Sequence, residues 1–147
     1  MKITQLTIVI LLLLFLSSGC KKSVDNNDFL QKEWKVQSVA IENKRTKIPS
    51  ENDFLREEAY ILKFINDSCF TLNTNVNYAG GKYQIVSKGR IVIHDYHEWT
   101  KVGTSEQQKI VNEQLLSAFN GNMSMHYSQN KLIFKGEKSN EVILKIE

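Results

Sequence analysis

The stretch Asn77-Tyr78-Ala79-Gly80-Gly81-Lys82-Tyr83-Gln84-Ile85-Val86-Ser87-Lys88-Gly89-Arg90-Ile91-Val92-Ile93-His94 decides the fold. It reads as a turn, a strand, a second turn and a second strand. Two adjacent glycines close the first turn, where positive φ is forbidden to most side chains. Lys82 to Val86 and Arg90 to His94 form a strand pair across Ser87-Lys88-Gly89. Short β-rich runs joined by tight turns predict a meandering antiparallel sheet.

Outward from this hairpin the same grammar continues. Upstream, Trp34, Val36 and Ala40 alternate with Lys35 and Gln37, a period of two that marks a strand with Trp34 as core anchor. Asn43 to Asp53 is polar, contains Pro49 and reads as a loop. Tyr60, Leu62 and Phe64 then alternate with Lys63, and Cys69 to Asn73 returns after an Asn66-Asp67 turn. Downstream, His94 to Gly103 reads as an irregular polar-aromatic loop. One clear helix follows, capped by Thr104 or Ser105 and led by Glu106. Val111, Leu115, Ala118 and Phe119 give it one apolar face, and Asn120-Gly121 stops it. Met123 to Tyr127, Lys131 to Phe134 and Val142 to Ile146 complete the order of about five strands, a helix and about three strands. A sheet of this kind curls or closes, with the helix over one side or end.

The 147 residues divide unequally. Residues 1–19 read as a lipoprotein signal peptide: Lys2 is the basic start, Ile8 to Leu16 is an unbroken apolar run, and Ser17-Ser18-Gly19 precedes Cys20. Nine apolar residues fall short of a membrane span, which needs about 20, but suit a signal-peptide core. Cleavage before Cys20 would leave that cysteine first, ready for acylation. Leu16 stands four residues before Cys20 rather than the commoner three. An ordinary signal peptide with an incidental cysteine and an uncleaved anchor are the alternatives. Residues 20–29 read as a polar tether and 30–147 as one β domain. The expected location is the cell envelope, lipid-anchored to a bacterial membrane, with the outer membrane, facing periplasm or surface, as the first choice.

Processing would leave 18 basic against 16 acidic residues, a near-neutral balance that gives no argument for nucleic acid. With Cys20 committed to lipid, Cys69 has no partner and reads as a buried structural thiol, without a neighbouring cation to activate it. The domain must therefore rest on packing rather than on a disulfide.

At Asn77-x-x-x-Gly81-x-Tyr83 the chain resembles the META/HslJ family of small bacterial envelope domains. That family opens with a tryptophan strand, as at Trp34-Lys35-Val36. It continues through a Thr-containing loop, here Thr100 to Thr104, a helix with Glu113-Gln114-Leu115-Leu116, and a closing hairpin around Asn130-Lys131-Leu132-Ile133-Phe134-Lys135-Gly136. Val76 and Thr104 stand where some members have cysteines, so no paired-cysteine role carries over. The resemblance covers about residues 30 to 147. It implies a mainly β fold with one α-helix: an antiparallel, partly closed, eight-stranded barrel. Trp34, Asn77, Gly81 and Tyr83 are implied as structural positions, Gly81 for backbone shape and Tyr83 for packing. No established catalysis and no cofactor are implied.

Catalytic patterns are weak. His94-Asp95-Tyr96-His97-Glu98 is the only tempting cluster, and a metal site needs two or three converging ligands. On a regular strand His94 and His97 would face opposite sides, although a curled loop with His126 could join them; a solvated loop is the plainer reading and no metal is expected. No nucleophile elbow, triad spacing or phosphate-cradling loop is present. Tyr78, Tyr83, Tyr96, Trp99 and Tyr127 either pack a core or frame a pocket. Two functions follow: a non-catalytic envelope lipoprotein, structural, stress-linked or protein-binding, or a lipocalin-like carrier of a small apolar ligand. The expected partners are membrane lipid through acylated Cys20, and an envelope protein or small apolar ligand. A packed interior favours the first function and a cavity of a few hundred cubic ångströms the second.

Overall fold

The computed structural model describes residues 28–48, 59–100, 102–103 and 105–146. The signal peptide, Cys20, nearly all of the tether and Thr104 lie outside the described residues. The order is a 3-10 turn at Asp28–Gln31, then β1 (Glu33–Ile41), β2 (Lys44–Lys47), β3 (Ile61–Phe64), β4 (Cys69–Leu72), β5 (Ala79–Ser87) and β6 (Arg90–Glu98). Helix α1 (Glu106–Ala118) follows, then β7 (Gly121–Ser128), β8 (Lys131–Lys135) and β9 (Glu141–Ile146).

All strand pairs are antiparallel. From β3 to β9 each strand pairs with the next, and β9 returns to β1, which pairs with β3. Eight strands thus close into a full barrel, more complete than the expected partial closure. Closure satisfies both edges of every strand, which no open sheet can do. The ninth strand is β2. It forms a hairpin with β1, beside the segment Ser38 to Ile41, beyond the stretch that β3 occupies. Reading Asn43 to Asp53 as a loop missed it, because Lys44-Arg45-Thr46-Lys47 has no apolar alternation. This strand faces water, and its residues are mostly exposed.

Alternation fills the barrel. Trp34, Val36, Leu62, Phe70, Leu72, Tyr83, Ile91, Ile93, Leu132, Phe134, Val142 and Leu144 are buried, while most of their strand neighbours, Ile61 excepted, are more exposed. The helix closes one end. Ser105 caps it, accepting from the Gln108 amide while the Gln108 side chain accepts from the Ser105 amide. Val111, Leu115 and Ala118 point into the barrel, and Phe119 beyond them meets Phe70, Tyr96 and Phe134 in edge-on contacts with centroids 5.0 to 5.8 Å apart.

The 3-10 turn closes the other end. Phe29 belongs to the tether in the sequence reading, yet it is 1% exposed. Its ring packs against Phe64 and Tyr127, and its carbonyl accepts from the Trp34 indole at 2.8 Å. Asp28, Lys32 and Tyr127 form a hydrogen-bonded triangle of 2.6 to 2.9 Å that ties this turn to β7. Phe29 is therefore part of the packed barrel end. A lone aromatic in a polar stretch shows no periodicity, so its burial was invisible locally.

Candidate functional site

The notable irregularity lies at Gly80-Gly81 and the strand opposite. Neither glycine has positive φ; that conformation belongs to Gly89 and Gly121. Both sit inside β5 rather than in a turn, and they are glycines because of close approach. A Cβ on Gly81 would lie 2.7 Å from the His94 carbonyl oxygen and 2.9 Å from Tyr96 backbone atoms. A Cβ on Gly80 would lie 2.6 Å from the Phe70 carbonyl oxygen and 2.8 Å from the Trp99 ring.

The cause is a bulge in β6. Gly80 pairs with His97 and Lys82 with His94, so Asp95 and Tyr96 together oppose Gly81. Asp95 takes φ 55°, and the extra residue bends β6 onto β5. The strand runs on to Glu98, correcting the reading of residues 94 onward as a loop. The bulge also resets the side-chain period. Tyr96 turns inward, 8% exposed, and donates to the Leu72 carbonyl at 3.1 Å. His94 and His97 are both exposed, rather than one facing in as a regular strand requires. His97 Nδ1 contacts the Asp95 carbonyl. His126 stands on β7 opposite Ile133. Among the described residues no three His, Cys, Asp or Glu side chains group as metal ligands.

Asn77 lies in a buried polar knot beside the helix. Its Oδ1 accepts from the Val102 amide at 2.7 Å and the Thr100 hydroxyl at 3.1 Å. Its Nδ2 donates to Glu98 at 3.3 Å. Glu98 also accepts from Thr74 at 3.1 Å and Asn112 at 3.2 Å, and the Tyr60 hydroxyl donates to Asn112. This knot pins three segments: the turn before β5, the loop after β6 and helix α1. Its donors outnumber its one carboxylate, so Glu98 serves as an acceptor hub. Sequence reading missed Thr74 and Asn112, and it weighed Glu98 only as a member of the His94–Glu98 cluster. The clue was the Asn73-Thr74-Asn75-Val76-Asn77 run, whose short polar side chains bond nearby backbone in place of a ladder.

Trp34 is fully buried. Tyr83 is buried too, its hydroxyl donating to the Asn66 carbonyl at 2.7 Å and its ring 4.9 Å from Phe64. Burial raises the Tyr60 hydroxyl pKa to about 12 and pushes that of Tyr96 higher, with the Glu98 charge adding to both. The aromatics thus divide. Tyr83 and Tyr96 pack the core, while Tyr78 and Trp99 stand exposed.

Among the described residues large side chains are buried in the lumen, and two recesses open on the surface. A groove of about 500 Å³ crosses the outer face of β4, β5 and β6. Gly81 and Thr71 form its floor, Trp99 and Ile65 its apolar walls, and Cys69, Lys82, Asp95 and His97 complete it. Cys69 is therefore a half-exposed free thiol, correcting the buried reading. Phe70 and Leu72 take the inward positions of β4, so Cys69 and Thr71 must face out. A second recess of about 700 Å³ lies where the 3-10 turn meets the β5–β6 and β7–β8 hairpins, lined by Phe29, Lys32, Ile85, Met125 and Tyr127 among others.

No family model and no curated protein matches the chain. Solved structures share its fold. An NMR structure of a protein from Burkholderia xenovorans is similar at TM-score 0.62 and 9% identity, over 81% of this chain and 84% of that one. A second NMR structure gives 0.60 at 11% identity, over 84% and 95%. A crystal structure of a DUF4847 family protein from Bacteroides vulgatus gives 0.53 at 18% identity, over 82% and 95%. At these identities the likeness is one of fold alone: a closed β-barrel with one helix.

Proposed function

We propose that this chain is a lipoprotein of the bacterial envelope, anchored through acylated Cys20, whose barrel is a non-catalytic, META/HslJ-like module that meets an envelope protein through its outer surface. The filled lumen carries this reading. Trp34, Phe70, Phe119 and Phe134 occupy the volume that a carrier barrel would leave for its ligand. Surface contact is then the remaining mode of recognition, and the Trp99 groove offers the apolar, aromatic-walled cleft that anchors protein contacts. The kinship with META/HslJ domains is supported by the placement of the motif: Asn77 in the polar knot, Gly81 under the bulge and Tyr83 in the core. Glu98, engaged by the Thr74, Asn77 and Asn112 side chains, is read as a structural acceptor. The carrier alternative is favoured by the recess beside Ile85, Met125 and Tyr127 and by the apolar Trp99 groove, both open to solvent.

Two measurements test the reading. Mass spectrometry of the mature chain is expected to find Cys20 first and acylated; an unprocessed chain would refute the lipoprotein assignment. Capture from native membranes is expected to recover a protein partner, with recovery lost in Trp99→Ala and Cys69 protected from thiol reagents in the complex. A stoichiometric small molecule with no protein partner would overturn it in favour of the carrier.

A further inference from the structure

Resting on the reading of the Trp99 groove as a protein contact, we propose that its partner is a second copy of this chain, joined by a two-fold interface over the outer face of β4, β5 and β6. Three features fit that face to itself.

The first is its floor. Pairing across the ladders aligns Cys69, Lys82 and His94 in one row and Thr71, Gly80 and His97 in the next. Cysteine, threonine and glycine are small, so the wall is low between Ile65 and Trp99, and the recess of about 500 Å³ opens there. Another protein surface can approach such a floor closely. The groove lies on the barrel wall rather than at either end, so copies joined side by side keep both Asp28 turns towards one membrane. Anchoring in one membrane also raises the effective concentration of copies for each other.

The second is a fixed aromatic wall. A Cβ on Gly80 would lie 2.8 Å from the Trp99 ring, so the indole lies directly against the β5 backbone. The Trp99 amide donates to the Tyr78 carbonyl at 2.7 Å, and the His97 ring stands edge-on with centroids 6.3 Å apart. Trp99 is nevertheless 55% exposed, and Ile65 across the groove 59%. An aromatic already held in place loses little freedom on binding, and tryptophan is prominent among residues that anchor protein contacts. This face carries both a recess and the apolar side chains that enter one. An isologous interface requires both on one patch, because each copy must supply knob and hole.

The third is charge, and it selects the occupant. Lys82 and Asp95 stand 3.9 Å apart, each side chain 67% exposed. An exposed pair of this kind contributes little within one chain. Lys82 pairs with His94, the residue before Asp95, so the two opposite charges lie side by side across the wall. A two-fold axis along the barrel sets each Lys82 against the Asp95 of the other copy, in two identical contacts. A partner surface of one sign would meet a like charge here. A surface bearing the same two charges in inverted order meets none, and this chain carries that surface.

The test uses full-length chains with two different tags, co-expressed and purified from membranes in mild detergent. The two tagged forms are expected to co-purify. Lys82→Glu in both copies, or Asp95→Lys in both, sets like charges together at both contacts and is expected to lower co-purification about tenfold or more. Co-expressing one Lys82→Glu copy with one Asp95→Lys copy restores opposite signs at both contacts and is expected to recover it. A pair that acts only within its own chain predicts no such recovery. Asp95 has φ 55°, so Asp95→Lys is paired with Asp95→Asn, which tolerates that backbone and is expected to weaken co-purification by a smaller factor. Trp99→Ala is expected to abolish it. Absence of co-purification in the parent chain, single reversals without effect, or folded reversed copies that fail to recover together would overturn the second-copy proposal. Trp99-dependent capture of a different protein without the second tag would also overturn it, while leaving the groove as a protein contact, so the two readings fail separately.

Discussion

At the residue scale, Gly81 shows how one missing side chain serves two strands. The β6 bulge brings His94 and Tyr96 backbone within 3 Å of where its Cβ would stand. Backbone flanked by paired strands has little room to retreat, so Gly81→Ala is expected to lower stability by about 2–3 kcal/mol, read by urea denaturation. Relief of this clash requires the bulge to open, so the Tyr96–Leu72 hydrogen bond would lengthen and near-ultraviolet tyrosine signals would change. A variant as stable as the parent would show that β6 can slide off β5. The sequence pointed to these glycines as special, but for the wrong reason. A glycine pair suggests positive φ, whereas the need here is space, and space is decided by a strand more than a dozen residues away.

At the scale of elements, helix α1 depends on its first turn. Ser105 and Gln108 satisfy one another's backbone amides in a capping box. Ser105→Ala leaves an unsatisfied amide at the helix start and is expected to cost about 1 kcal/mol, seen as a lower melting temperature by circular dichroism. Ser105→Asp should restore most of it, since a carboxylate both caps and complements the dipole; no loss in Ser105→Ala would mean that packing of Val111 and Leu115 alone positions the helix. This helix was legible locally because cap, apolar spacing and stop signal all lie within it. β2 was not, because among the described residues it pairs with β1 alone and its residues carry no apolar stripe. His94 and His97 failed in a third way. A period of two assigns them opposite faces, and a bulge is the event that breaks that period.

At the scale of the whole molecule, closure and burial set the response to alkali. Tyr60 and Tyr96 lie inside the barrel, and burial raises both hydroxyl pKa values, that of Tyr60 to about 12. Tyr83 shifts in the same direction, again chiefly through burial. A group whose folded pKa exceeds its unfolded value favours folding below the unfolded pKa, near 10 for tyrosine. That contribution is lost as pH rises towards the folded pKa. Stability is therefore expected to hold to about pH 10 and to fall between about 10 and 12, with tyrosinate absorbance appearing together with loss of the fold. Tyr60→Phe should flatten this fall at the expense of the Asn112 hydrogen bond. Titration of all five tyrosines well before unfolding would contradict the burial of the core rings.

The sequence by itself determined most element types and their order, the helix with its cap at Thr104 or Ser105, and the inward sets of most strands, because alternation, capping and turn chemistry act over a few neighbouring residues. It also framed the candidate anchor at Cys20. Only the tertiary structure decided that β9 closes on β1, that Phe29 seals one end, that Cys69 faces out, and that Asn77 and Glu98 share one polar knot. Each of these joins residues distant in sequence, and register, bulges and burial are properties of paired strands rather than of any one strand. The Asn77–His94 stretch holds both kinds of information. Its strands and its Gly89 turn are local facts, while the reason for Gly80 and Gly81 lies across the ladders, on Phe70, Tyr96 and Trp99.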